Sequence, residues 1–496
     1  MTNYETVVGL EIHAHLRTES KMFCSCATSP KGKDYESGKK DDPNVRICPI
    51  CTGQPGTLPV PNKKAIEDTI LLGLALGSKI PERFNFERKN YYYPDLPKAY
   101  QITSATNPPV VGGGLEIEIG DKAKFIKLDH IHLEEDAGKL THDKSGEFSL
   151  VDLNRAGTPL LEIITQPVLS SGAEAAKFMK NLQSILRTLG ISDADMEKGQ
   201  MRCDANISVR KVGAKELGAK VEVKNINSFK MVSAAIEYES KRQIEALEKG
   251  EKIEQQTRGW DANKGKTTTQ RSKEFANDYR YFPEPDIPPI VVGKGKEFDP
   301  EIINDRLPEL PKEKKARLMD EYGLSSHGAQ VISANFDLAR YFEATLENLP
   351  QIAESSEKAR KLGKQAASIL INEFLGKITE LNSVFDSNIT PDNFAQLISL
   401  LDGDEITGTI AKDLLPKMLK SGKSPSEIIK SEGISKVDDS AVSSIIEKVI
   451  TDNPAEVERY RAGDNKLFGF FVGQVMRETK GKGDPKAVNE LLKRKL

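Results

Sequence analysis

The chain has 496 residues, with 71 Lys or Arg against 74 Asp or Glu, a formal net charge of −3, 38% hydrophobic and 29% charged residues. This is an ordinary globular composition, which excludes a disordered or collagen-like chain and suits about three domains. The longest apolar run, Ile70 to Gly77, is too short to span a bilayer, and Met1 to Leu10 has no basic segment leading into an apolar core. The expected compartment is therefore the cytoplasm, or an organellar matrix in a eukaryote. Near-neutral charge does not exclude nucleic acid, since a local basic patch suffices.

Val7–His15 reads as a strand with Gly9, Glu11, His13 and His15 on one face and Val8, Leu10 and Ile12 on the other. Next come Cys24-x-Cys26 and Cys48-x₂-Cys51, two close thiol pairs at either end of a loop. Such spacing can close a tetrahedral four-thiolate zinc site at 24–51, structural in role because no ligand position stays open. Cys203 stands alone on an apolar strand face and reads as a core residue. A helix is expected from Lys63 to Leu76.

Lys124–Glu135 alternates as a strand, and its Ile126–Glu134 part puts Leu128, His130, His132 and Glu134 on one face. Val151–Asn154 offers Asp152 and Asn154. A helix over Ala173–Leu189 follows the cap signal Ser170–Ser171–Gly172. The strand Met201–Arg210 has a polar face of Arg202, Asp204, Asn206, Ser208 and Arg210. Lys220–Asn225 is a further strand, and Ser228–Lys249 a long helix ending at Gly250. Gly265-Lys266-Thr267 mimics the end of a phosphate loop, but Trp260 stands where the pattern needs glycine. Beyond Leu310–Pro311 the texture is helical, with a second shift near Asp402–Asp404.

Two readings of the polar strand faces compete. Antiparallel sheets often leave one face in water. Solvated faces, however, are usually Lys, Glu and Thr, whereas these strands repeat carboxylates, imidazoles, Asn and Arg. That mixture suits Mg²⁺, held by carboxylate oxygens, together with phosphate, held by Arg.

The same region carries long motifs: GLEIH at 9–13, YYPDLPKAYQI at 92–102, HLEEDAGK at 132–139, DLNRAGTPLLE at 152–162, RCDAN at 202–206, EVKN at 222–225 and DYRYFPEPD at 278–286, with GFFVGQVM at 469–476 near the C-terminus. By these motifs the chain resembles the B-subunit family of the glutamyl-tRNA(Gln)/aspartyl-tRNA(Asn) amidotransferases. The resemblance implies an α+β fold: an antiparallel-sheet cradle domain related to glutamine synthetase over 1–292, then two small all-α domains, 293–405 and 406–496, the last binding tRNA. It implies the A and C subunits of the enzyme as partners in a heterotrimer, misacylated tRNA and ATP as substrates, and Mg²⁺ at Glu11, His13, an acid of the Glu134–Glu135 pair, and Asp204.

In the implied reaction ATP phosphorylates the side-chain carboxylate of a misacylated Glu or Asp, and ammonia then displaces phosphate. Arg155 and Arg202 are candidate clamps for phosphate or for the substrate carboxylate, with pairing to a nearby acid as the alternative. Lys98, Lys224, Asp152, Asn154 and Asn206 are further candidates on the substrate side. Tyr92 and Tyr100 could stack on the terminal adenosine or pack in the core. The chain carries neither the amidase Ser-Ser-Lys signature nor a clear Cys–His pair, which fits glutamine hydrolysis by the amidase partner. From Arg459 to Leu496 there are ten Lys or Arg against four Asp or Glu. Arg477, Lys480, Lys482, Lys486, Lys493, Arg494 and Lys495 are the candidate tRNA contacts, or else a solvated helical end. A stand-alone ATP-dependent carboxylate–amine ligase acting on a small substrate is the rival function.

Overall fold

A computed structural model describes residues 3–29, 41–120, 122–143, 145–272, 278–378, 383–434, 439–479 and 485–496. The chain divides into two compact units, residues 1–310 and 311–496. Among the described residues no helix is long and apolar enough to cross a membrane.

The first unit is built on a twelve-stranded sheet. The strands that carry the site are β1 (Tyr4–His15), β2 (Glu87–Asn90), β3 (Tyr100–Thr103), β4 (Lys122–Glu135), β5 (Pro159–Thr165), β6 (Met201–Lys211) and β7 (Val221–Ile226). Their spatial order is β7-β6-β1-β5-β4-β3-β2. Pairing is antiparallel except that β7 runs parallel to Gln256–Asp261, so the expected antiparallel sheet is in fact mixed.

Alternation along β1 decides which face is which. Val8, Leu10, Ile12 and Ala14 are buried in one apolar cluster with Phe178, Leu182 and Ile236 of the helices Gly172–Thr188 and Phe229–Glu248. Each fully buried side chain of this size contributes about 1.5–3 kcal/mol. Both helices start where a serine can cap them: the Ser171 hydroxyl accepts from the Glu174 amide at 3.2 Å, and that of Ser228 from Met231 at 3.1 Å. With one face sealed by helices, the residues between these apolar positions are left to the other face.

Two irregularities set which residues share that face. Ile164 pairs with His130 but Thr165 with Leu128, so Asp129 is an extra residue in β4. The bulge puts Ile126 and Leu128 into the core on one side of it and Ile131 and Leu133 on the other. Leu128 therefore does not share a face with His130, His132 and Glu134, contrary to strict alternation. In β7 the partners of Cys203 and Ala205 are Ile226 and Val223, which leaves an extra residue there and brings Lys224 beside Asp204.

Asp152 is also displaced from expectation. Ser149–Asp152 pairs only with Lys139–His142, in a separate two-stranded ribbon. Gly265, at φ +59°, turns a hairpin between Gln256–Asp261 and Lys266–Ser272, with no following helix and hence no phosphate loop.

The second unit is helical. Its described apolar side chains form two clusters, one from Leu318 to Ile428 and one from Val442 to Leu492.

Candidate active site and metal centres

Register brings the chemistry together. His13 on β1 lies opposite Glu162 on β5, and Glu162 opposite His132 on β4. Glu11 lies opposite Asp204, and His13 opposite Arg202. Glu162 is the hub: the Nε2 atoms of His13 and His132 stand 3.4 and 3.2 Å from its carboxylate. His13 Nε2 is also 3.9 Å from Glu11 and 3.8 Å from Glu134. Two overlapping triads result, Glu11–His13–Glu162 and His132–Glu134–Glu162, each with ligand atoms within 4.8 Å of one another.

The carboxylates of this face crowd one another. Burial, and then Glu162, push the Glu11 carboxyl up to about 7. Burial and Glu162 likewise raise Glu134. Burial alone would raise Glu162 too, but His132 and His13 more than offset it and hold it well below the usual range. For His13, burial opposes the charge and is outweighed by the hydrogen bond and charge of Glu162. For Lys89 on β2, the burial penalty is outweighed by Glu134 and Glu162, so its ammonium is retained. His13 Nδ1 and Glu134 Oε2 are buried without a hydrogen-bond partner. Unpaired ligand atoms among crowded carboxylates fit a divalent cation.

Of the other expected residues, Asp204, Lys224 and Arg202 adjoin this face and others lie elsewhere. Glu135 points away from the triads, as alternation requires; it pairs with Lys98 and accepts from the Ile102 amide at 3.0 Å. Lys98 is thus paired with Glu135 and not with the triads. Asp204 and Glu222 share Lys224, at 3.2 and 3.3 Å. Asn206 has a buried Oδ1 with no partner. Arg155 donates to the carbonyls of Ala137 and Gly138 at 3.0 and 2.6 Å and lies 3.2 Å from Asp136, while Arg202 lies 3.8 Å from the same carboxylate. Burial would raise Asp136, but the His15 hydrogen bond at 2.7 Å and the arginines hold its carboxyl below the usual range.

Asp152 and Asn154 pin the segment before Cys48: Asn154 accepts from the Arg46 amide at 2.8 Å, and Asp152 from the Asn44 amide at 3.3 Å. Tyr100 lies under the Arg88 guanidinium at 4.3 Å, and Tyr92 is 86% exposed.

Cys24, Cys26, Cys48 and Cys51 bring their four sulfurs within 4.8 Å of one another. The Cys48 amide donates to Cys51 Sγ at 3.2 Å, a knuckle that stabilises the thiolate. The Cys24 hydrogen bond leads in pulling the Cys51 thiol down to about 5, against the opposing effect of burial. Four sulfurs this close fit a tetrahedral thiolate-bound metal.

In the tail, Arg477, Lys493 and Arg494 are exposed on the helices Leu467–Glu478 and Pro485–Lys495. Lys495 is tied to Ser443 at 2.6 Å and to Glu447. Lys480 and Lys482, and the side chain of Lys486, lie outside the described residues.

Sequence reasoning passed over Glu162, Asp136 and Lys89 as site residues and gave His132 no role. The available signal for Glu162 was a single carboxylate inside the apolar run Leu160–Ile164. A charge there is excluded from a core unless it is paired.

A large sheet with one face sealed by helices and the other crowded with carboxylates defines the class, a catalytic domain. Residues 6–296 match the GatB/GatE catalytic domain model, and residues 341–496 match the GatB domain model. Proteins named as the B subunit of aspartyl/glutamyl-tRNA(Asn/Gln) amidotransferase match the whole chain. That of Persephonella marina is 45% identical over 491 residues, covering 99% of this chain and 98% of the relative. That of Thermodesulfovibrio yellowstonii is 46% identical, with the same coverage, and that of Geotalea daltonii 46%, over 99% of each. The chain belongs to the B-subunit family of the aspartyl/glutamyl-tRNA(Asn/Gln) amidotransferases.

Proposed function

We propose that this chain is the component that amidates misacylated Glu-tRNA(Gln), Asp-tRNA(Asn) or both, using ATP and ammonia from a partner amidase. The observation that carries the reading is identity near 45% along the full chain to relatives of that name, and it favours this function over a small-substrate ligase. The Glu162-centred face supplies a matching site. Its layout belongs to the same reading: a cradle domain like that of glutamine synthetase, ending near 310 rather than at 292, then two helical domains, working with the A and C subunits. Two separate apolar clusters support two helical domains, but the first runs on to Ile428 and the second begins at Val442, so their boundary lies between those residues rather than at 405.

Glu11, His13, Glu134 and Glu162, with His132 and Asp204 beside them, would hold Mg²⁺. Each triad offers two carboxylates and one imidazole, a set richer in histidine than the strand pattern suggests, and leaves positions for water and phosphate oxygens. The metal supplies charge neutralisation for phosphoryl transfer.

The substrate carboxylate oxygen attacks the γ-phosphorus of ATP, ADP leaves, and an acyl phosphate forms. Ammonia adds to the acyl carbon, loses a proton, and expels phosphate. The chain's work is positioning. Arg202, beside His13 in register, is the candidate clamp for an anionic oxygen, and Lys224 and Asn206 border the same face. Lys89 keeps a cation beside Glu134 and Glu162. Arg155 fixes the 136–138 turn rather than reaching for substrate. Tyr92 is free to stack on a base. The exposed Arg477, Lys493 and Arg494 would contact tRNA phosphate. Zn²⁺ is the metal proposed for the four cysteines, in a structural role.

The test is phosphate release from ATP by the complex of this chain with its partner subunits. Release that needs misacylated tRNA is expected. Release with a free amino acid, and none with tRNA, would establish the small-substrate ligase instead.

A further inference from the structure

Lys21 is 1% exposed. Its ammonium donates to the carbonyls of Arg46 at 2.8 Å and Leu153 at 3.3 Å, and stands 3.8 Å from Cys51 Sγ. A buried ammonium costs several kcal/mol unless a negative charge offsets it, and two carbonyls are only partial compensation. The balance is found in the cysteines. Four thiolates around a divalent cation carry a net charge of about −2, and the buried member of the four, Cys51, is the one beside Lys21. The buried ammonium and the buried thiolate answer each other.

Lys21 also joins the cysteine loop to the active-site side of the unit. Its own amide donates to the Cys26 carbonyl at 2.9 Å, and the next amide, of Met22, to the Gly157 carbonyl at 2.7 Å. The Gly157 amide in turn donates to the Asp136 carbonyl at 2.8 Å. Gly157 sits at φ +84°, and a Cβ there would stand 3.4 Å from Lys21 Cδ and 3.7 Å from Cys51 Cβ. The turn 153–158 therefore lies against Lys21 and the Cys51 side chain. The same turn carries Arg155, whose guanidinium holds the carbonyls of Ala137 and Gly138.

We propose that Lys21 is the counter-charge of the four-thiolate centre and the joint through which that centre fixes the 153–158 turn. The proposal rests on the zinc reading above. It makes the centre more than a local staple: losing the metal leaves the ammonium without its balance and loosens the turn that positions Arg155.

The experiment uses the full chain in complex with its partner subunits, as wild type and as Lys21→Met, which keeps the stem and removes the charge. Zinc release to a colorimetric chelator and amide exchange of a peptide spanning 153–158 are both followed. Lys21→Met should release zinc about 10- to 100-fold faster, the usual size for losing a supporting partner of a metal ligand. Its 153–158 peptide should exchange faster even with zinc bound. Wild-type release and protection in Lys21→Met would overturn the proposal. Should that variant fail to fold, the wild type decides: stripping its zinc should speed exchange at 153–158, and unchanged protection there overturns the coupling. A wild type that neither contains nor takes up zinc overturns the zinc reading, and this inference with it.

Discussion

Glu134 and Asp136 are two residues apart and equally buried, yet their surroundings are opposite. His15, Arg155 and Arg202 converge on Asp136, and its carboxyl is held below the usual range. Glu134 shares His13, His132 and Lys89 with Glu162, and its carboxyl is pushed up. Glu135, between them, faces the other way and takes Lys98. Burial of a carboxylate is thus no mark of function. What marks the Glu162 face is that Glu11 and Glu134 are pushed up beside Glu162 and Glu134 Oε2 has no hydrogen-bond partner, so an added cation is favoured there and redundant at Asp136.

The largest expected effect comes from Glu162→Gln. It removes the acid common to both triads and should lower amidation about 10²- to 10³-fold or more, the scale of losing one preorganised electrostatic group. Glutamine hydrolysis by the partner should persist, while Tm should fall, because His13 and His132 lose the carboxylate that they hold below the usual range. Normal amidation by this variant would erase the distinction between the two regions.

Asp136→Asn should act on stability instead. Leaving His15 and two arginines around a neutral amide should cost about 3–5 kcal/mol, measured by denaturant unfolding. Because the folded-state value of Asp136 lies below its unfolded value, its contribution is complete above about pH 4 and is lost as pH falls further. The deficit of the variant should therefore narrow in acid. Glu135→Gln should also destabilise, through Lys98, while the folded protein keeps its metal affinity.

The smallest effects belong to the tail. Lys493→Ala and Arg494→Ala should each raise the KM for misacylated tRNA severalfold and reduce the salt slope of binding by about one for each phosphate no longer neutralised. Turnover at saturating tRNA should be preserved. An unchanged salt slope would show that these side chains do not touch tRNA.

Period-two alternation made the face of β1 and β6 legible, because those strands pair with each other without a bulge through Glu11, His13, Asp204 and Asn206. It failed at Leu128, since the extra residue at Asp129 leaves no trace in the hydrophobic pattern. It failed at Asp152 and Asn154 because a short alternating run says nothing of which sheet it joins. Paired cysteines and helix caps are local signals and could be read directly. Glu162 depends on β5 lying between β1 and β4, a long-range neighbourhood that no local pattern encodes.

The Glu162 face should bind a divalent cation while the neighbouring acids do not. Titration of Mn²⁺ by electron paramagnetic resonance, on the assembled wild type, Glu162→Gln and Glu135→Gln, tests it most directly. Saturable binding by the wild type and by Glu135→Gln, competed by Mg²⁺ and lost or weakened at least about 10-fold in Glu162→Gln, is the predicted result. Equal binding by wild type and Glu162→Gln, or no saturable binding by the wild type, would contradict it.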